Sequence, residues 1–351
     1  MALLDWISGL FGGRAKQDTG SRRKRGVATH IVILDGTMSS LKPGHETNAG
    51  LAFNLMRESG PQANMTVYYE AGIQWHDWRG TWDVMTGKGI NRQIRRAYGV
   101  LASRYRHGDK IVLVGYSRGA YAVRSLAGVI DMVGLLKANH ATVSGIRNAY
   151  RHYQASAVSP AAKDFRRDFC HEDVKIEAVA VWDTVKALGV RLPLIWRLTN
   201  AKHDFHNHSL GPTTLNGFHA LAYHERRQAY APIMWETAAD WAGNMEQVWF
   251  RGTHGDVGGQ IGEFRQARLL GNISLVWMLG RLADCGVILP EDWPGRFETD
   301  PTAPSIGGWH GWAKLFWLRR ARTIGRDPSE RLHESLVEAA QGRHHAIPIT
   351  L

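Results

Sequence analysis

Cysteine is scarce in this chain of 351 residues: there are two, Cys170 and Cys285. They are too few and too far apart for a disulfide framework or a cysteine-based zinc site, so both read as packing residues, as suits a reducing compartment. Long apolar runs are also missing. Nothing approaches the ~18 consecutive apolar residues of a bilayer-spanning helix, which excludes an integral membrane protein of that kind. Acidic residues are outnumbered, 32 against 43 Lys and Arg, for a formal net charge of +11. Such an excess draws anionic partners, whether lipid headgroups, nucleic acid or an acidic protein. The basic residues are nevertheless scattered apart from one cluster, Arg22-Arg23-Lys24-Arg25. No basic motif of a nucleic-acid module accompanies them, so no nucleic acid is expected. Internal repeats and low-complexity tracts are absent as well, which excludes a solenoid.

What is present begins with an amphipathic terminus. Leu3, Ile7, Leu10 and Phe11 share one helical stripe and a basic segment follows, a pattern suited to peripheral membrane contact through residues 1–25. A secretory signal does not fit, because no positive charge precedes the apolar part, Asp5 interrupts it, and no small-residue cleavage site follows. Residues 1–27 therefore read as an amphipathic and basic segment with a linker, and 28–351 as a single folded domain. Within that domain, apolar runs at His30–Leu34, Met65–Tyr69, Lys110–Val114, Val174–Trp182 and Gln247–Arg251 alternate with helical patterns. Near-continuous β-branched strands interleaved with helices predict an α/β fold with a mostly parallel sheet covered on both faces. Ile90, Ile94, Ala97, Leu101 and Tyr105 recur at helical spacing before the turn Gly108-Asp109, the signature of a crossover helix into the third strand. Two stretches break the alternation, 186–217 and the Trp-rich 290–325, and both are candidate lid-like insertions. In the second, aromatics beside Arg319, Arg320 and Arg322 would suit an acyl or phospholipid substrate.

The chemistry concentrates in GYSRG, Gly115 to Gly119, between the third strand and a small-residue helix. A GxSxG in that context is a nucleophile elbow, with Gly115 and Gly119 leaving room for a strained turn that displays Ser117. A serine hydroxyl is weakly nucleophilic and requires a base and an acid to orient the base. Asp183 in VAVWDTV and His254 in VWFRGTHGDVGG follow two later strands and supply the order Ser, Asp, His. Asp256 is the alternative acid, and Asp183 has the competing reading of a helix cap. An oxyanion hole would take the backbone N–H of Arg118 and that of Gly36 or Thr37 in the LDGT loop after the first strand. His203, His206 and His208 fit no standard zinc spacing, and neither metal nor cofactor is expected.

These segments resemble the α/β-hydrolase catalytic domain of type VI secretion phospholipase effectors and related bacterial hydrolases. The resemblance is carried by LDGT at Leu34 to Thr37, GYSRGAYAVRSLAGVI at Gly115 to Ile130, VWDTVKALG at Val181 to Gly189, HALAYHERR at His219 to Arg227, VWFRGTHGDVGG at Val248 to Gly259 and DPSERLHESL at Asp327 to Leu336. It departs from the usual pattern at Leu34, Lys186, His224 and Gly255. The resemblance implies a Ser117, Asp183, His254 triad hydrolysing acyl esters of lipids, with an immunity or secretion partner. It also implies a bacterial protein in the cytoplasm or at a membrane surface, delivered through a type VI system without a cleavable signal. An amidase or thioesterase would use the same triad, and a non-catalytic hydrolase-like protein binding anionic membranes or a protein partner is the alternative of another class.

Overall fold

The computed structural model describes residues 26–60, 63–72, 88–155, 159–185, 209–308 and 318–341. In chain order these form β1 (Thr29–Leu34), α1 (Asn48–Ser59), β2 (Met65–Glu70), α2 (Lys88–Arg104), β3 (Lys110–Tyr116), α3 (Arg118–Met132), α4 (Val143–Ala155), α5 (Pro160–Phe169), β4 (Ile176–Trp182), β5 (Asn216–Ala222), β6 (Asn244–Phe250), α6 (His254–Gly258), α7 (Arg268–Asp284), β7 (Glu330–Leu332) and α8 (Glu334–Gln341). The amphipathic segment 1–25, the histidines His203, His206 and His208, Lys186, and the lid candidates over 186–208 and 309–317 lie outside the described residues.

The seven strands form one sheet in the order β2-β1-β3-β4-β5-β6-β7. Every pairing between them is parallel. This is the expected α/β class, a parallel sheet with a helical layer on each face. Period-two alternation divides the strand residues between two cores. Val32, Leu34, Ile111, Leu113, Val179 and Val181 pack with the Ile90 to Leu101 stripe of α2 and with Val123 and Leu126 of α3. Ile31, Ile33, Val112, Val114, Ala178 and Ala180 face the other way, onto Leu55 and Met56 of α1 and Leu275, Met278 and Leu279 of α7. Because both faces are covered, the strands read as unbroken apolar runs.

Two strands escaped the sequence reading. β5 starts inside the non-alternating stretch 186–217, and its core is Phe218, Ala220, Leu221 and Ala222 around a buried histidine, His219. Small residues and an imidazole give little β signal, and burial between β4 and β6 supplies what propensity does not. β7 is a three-residue edge strand, too short to register as a pattern.

The topology creates the crevice. From β1 the chain runs through α1 to the edge strand β2, then crosses back over β1 through α2 to β3. Strand order thus reverses between β1 and β3, and in open parallel sheets such a switch point opens a cleft at the carboxyl ends of the strands. Asp35, Gly36 and Thr37 leave β1 there, and Ser117 leaves β3.

Candidate active site

Ser117 occupies φ 57°, ψ −118°, a backbone region that non-glycine residues rarely adopt, between the end of β3 and the first residue of α3. A conformation of this kind costs on the order of 1–3 kcal/mol and persists only where its surroundings enforce it. Here Ser117 N–H donates to Trp182 O at 3.0 Å, tying the turn to β4. Both flanking glycines are required by packing rather than by their own dihedrals. A Cβ on Gly119 would lie 2.0 Å from Leu34 O, and one on Gly115 would lie 2.7 Å from Ala120 Cα. The turn is therefore pressed against the ends of β1 and α3 with no room for a methyl group.

Three sequence candidates meet in one line. His254 Nε2 is 2.9 Å from Ser117 Oγ, and His254 Nδ1 is 2.6 Å from Asp183 Oδ2. Asp183 immediately follows β4, also with positive φ, 39°, and its N–H donates to Ala220 O on β5. His254 opens α6, one residue past the N-cap Thr253. All three side chains are buried. The imidazole is held on two sides, stacked on Tyr116 at 5.0 Å between centroids and met edge-on by Tyr230 at 4.8 Å.

Asp256, the alternative acid, is committed elsewhere. Its Oδ2 accepts from Thr253 N–H at 2.7 Å and from the hydroxyls of Thr253 and Ser305, and its Oδ1 accepts from Ile306 N–H. It caps α6 and anchors the 305–306 loop, thereby fixing the helix that carries His254. The LDGT loop also holds a correction of detail. Gly36 N–H donates to Asp35 Oδ1 at 2.7 Å, so that amide is already engaged within its own turn. Thr37 carries the other candidate amide, and its carbonyl is held by Gln260 Nε2 at 2.8 Å. Arg118 contributes a first-turn amide of α3, a position whose N–H has no intrahelical partner.

Two ion pairs around the site were not anticipated. Arg322 donates to both oxygens of Asp183, Nη1 to Oδ1 at 2.5 Å and Nη2 to Oδ2 at 2.9 Å. This corrects the expectation that Arg322 serves a substrate headgroup, since its guanidinium is turned inward onto Asp183. Arg319 likewise donates to a protein carbonyl, Gly308 O. Glu225 accepts from His254 N–H at 3.2 Å and is itself gripped by Arg227, Nη2 to Oε2 at 2.6 Å. The only sequence signal for Glu225 and Arg227 was their place in HALAYHERR, and Arg322 stands in an unpatterned basic run.

The electrostatics follow from these contacts. Burial alone would raise the Asp183 carboxyl, but the Arg322 cation and the His254 hydrogen bond reverse this and hold it well below the usual range. Glu225 is lowered in the same way, burial being overcome by Arg227. Asp35 behaves oppositely: burial raises its pKa and outweighs the hydrogen bonds from Thr47, Tyr69, Gly36 and Ser39. Among the described residues, no group of three or more His, Cys, Asp or Glu could hold a metal ion, and no helix is long and apolar enough to cross a membrane.

Comparison with known proteins adds a family. Residues 28–281 match the model described as T6SS, Phospholipase effector Tle1-like, catalytic domain. Uncharacterized protein YEL023C of Saccharomyces cerevisiae (strain ATCC 204508 / S288c) is 27% identical over 218 residues, 53% of this chain and 32% of that protein. The chain thus spans about a third of the length of that curated relative. Among solved structures, the Tle1 effector bound to the VgrG spike from the type 6 secretion system aligns with a TM-score of 0.39 and 17% identity, over 69% of this chain and 53% of that one. An uncharacterized protein from Pseudomonas aeruginosa aligns with a TM-score of 0.43 and 14% identity, over 82% and 50%.

Proposed function

Because the chain belongs to the family of Tle1-like type VI secretion phospholipase effectors through its catalytic domain, we propose that it is a serine hydrolase cleaving acyl esters of lipids, with Ser117, His254 and Asp183 as its triad. The observation that carries this reading is the continuous hydrogen-bond line Ser117 Oγ, His254 Nε2, His254 Nδ1, Asp183 Oδ2 at 2.9 and 2.6 Å. Each member stands at the carboxyl end of a different strand, β3, β6 or β4.

In the proposed reaction, Ser117 Oγ attacks the acyl carbonyl while its proton passes to His254 Nε2, and Asp183 holds the ring in the tautomer with hydrogen on Nδ1. Negative charge develops on the carbonyl oxygen. The Arg118 amide supports it from the first turn of α3, and the Thr37 amide supports it from the LDGT loop, because Gly36 N–H is already given to Asp35. Collapse breaks the ester C–O bond, and the leaving alcohol takes the proton back from Nε2. Water then enters, loses a proton to His254 and attacks the acyl-enzyme, which releases the carboxylic acid and returns the proton to Ser117. The burial of the relay supports this chemistry, since fixed dipoles act more strongly where water is excluded.

The test is labelling of the full chain with a fluorophosphonate and mapping of the adduct by mass spectrometry, beside hydrolysis of p-nitrophenyl butyrate and of diacyl phospholipid vesicles. We expect an adduct on Ser117 that is lost in Ser117→Ala and strongly slowed in His254→Ala, with phospholipid turnover following the same pattern. A folded protein that does not label would sink the hydrolase reading and favour a binding role. Delivery through a type VI apparatus is proposed from family membership alone. Export that persists after deletion of the apparatus in the producing bacterium would refute it.

A further inference from the structure

Asp183 sits under a clasp that the family match does not include. Residues 318–322 run antiparallel to 226–228, with Gln228 N–H donating to Leu318 O at 3.0 Å, Arg320 N–H to Arg226 O at 2.7 Å, and an isolated bridge between Arg227 and Arg319. This strip lies beyond residue 281, where the family match ends. It delivers Arg322 into the site with 4% of its side chain exposed, against 0% for Asp183. The guanidinium is fixed from two further directions by Ala222 O at 2.8 Å and Tyr230 O at 2.6 Å.

We propose that Arg322 is a positioning residue for the reaction, holding the Asp183 carboxylate ionised and coplanar with the His254 ring, so that the C-terminal strip 318–322 is an integral part of the active site. The inference rests on the hydrolase reading given above. Three arguments support it. A planar fork paired with a carboxylate fixes orientation as well as distance, which a single hydrogen bond from Ala222 N–H to Oδ1 cannot do. A carboxylate buried beside a neutral imidazole is otherwise an uncompensated charge, and burial would favour its protonated form, which orients the ring poorly. The same guanidinium also ties the backbone of Tyr230, whose ring meets His254, to the Asp183 carboxylate.

The cation has a second consequence. The charged and titratable groups facing His254 are Asp183, Arg322, Glu225, Arg227, Tyr116 and Tyr230. Glu225 and Arg227 neutralise one another, and so do Asp183 and Arg322. The His254 ring therefore meets no unbalanced negative charge. Removing Arg322 takes away the first of the influences that hold the Asp183 carboxyl low, so burial moves its protonation to higher pH.

The experiment compares the wild type, Arg322→Met and Arg322→Lys as full chains by fluorophosphonate labelling at Ser117, steady-state hydrolysis of p-nitrophenyl butyrate from pH 5 to 9, and circular dichroism. Displacing a reacting group by about 1 Å costs on the order of 10²-fold in rate. Both variants should therefore lose about that in kcat with KM within about twofold of the wild type. The acid limb of the kcat/KM profile should move to higher pH in Arg322→Met and stay in place in Arg322→Lys, which keeps the charge but not the fork. A folded Arg322→Met with wild-type kcat and an unmoved limb overturns the proposal. If Arg322→Met does not fold, Arg322→Lys decides by its kcat, and failure of both to fold makes Arg322 structural and likewise overturns it. A wild type that does not label at Ser117 overturns the hydrolase reading itself, which separates that failure from the failure of Arg322.

Discussion

His219 should make this fold acid-labile in a way that one substitution removes. The imidazole lies fully buried on β5, edge-on to Trp235 at 5.4 Å, and its Nε2 accepts from Thr184 N–H at 3.1 Å, one residue beyond Asp183. Protonation would destroy that acceptor and place a cation in an apolar setting near Arg124. Burial first and the Arg124 charge second push its pKa down from 6.5 to about 3. A folded-state pKa below the unfolded one means that the unfolded chain binds the proton first, so the stabilisation is complete above 6.5, declines as pH falls below it, and is exhausted near 3. At pH 5 the unfolded histidine is almost wholly protonated and the folded one almost wholly neutral, a gap of about 1.5 pH units. At 1.36 kcal/mol per unit, this one residue removes about 2 kcal/mol of stability between pH 8 and pH 5. In His219→Gln a neutral acceptor reaches toward Thr184 N–H without titrating. Urea unfolding at pH 8, 6 and 5 should show the variant losing about 2 kcal/mol less than the wild type across that range, whatever its stability at pH 8. Parallel losses in the two proteins would refute the argument, because every other titrating group is common to both.

Two further substitutions probe the frame of the site. Gly119→Ala drives a methyl group to 2.0 Å from Leu34 O, a backbone atom with no flexible side chain to yield. Overpacking of this kind costs on the order of 1–3 kcal/mol or more, and the elbow should shift enough to abolish labelling at Ser117; wild-type labelling kinetics would show that the turn tolerates the intrusion. Thr47→Ala removes the N-cap bond to Gly50 N–H at 3.0 Å and the donor to Asp35 Oδ2 at 2.6 Å. The lost cap and the lost bond to a buried carboxylate together predict a destabilisation of about 2–4 kcal/mol by urea unfolding, and a loss under about 0.5 kcal/mol would contradict the role given to Thr47.

Much of this was legible in the chain. The runs that became β1, β3 and β4 are apolar on both faces because helices cover both, so each reads as a strand without knowledge of its neighbours. The stripe from Ile90 to Tyr105 is continuous because α2 lies flat on that sheet, and all five of its members are buried. Ser117 was visible because a strained turn between strand and helix has a local glycine requirement, here enforced at Gly115 and Gly119. β5 was hidden because its burial comes from both neighbouring strands rather than from its own alanines. The competition between Asp183 and Asp256 could not be resolved along the chain either, since each follows a strand and lies close to a plausible helix start.

The sequence by itself determined the parallel α/β architecture, the displayed serine and the order of the groups that could serve it, because each of these rests on local periodicity or on the steric demands of one turn. Tertiary structure alone decided which acid meets the imidazole, that Gly36 turns its amide to Asp35, and that two neighbouring arginines are not equivalent: Arg319 holds the Gly308 carbonyl, 11 positions away, while Arg322 reaches Asp183, 139 positions away. The physical reason is that hydrogen bonds and ion pairs between groups distant in sequence depend on how the strand ends converge, and no local pattern encodes that convergence.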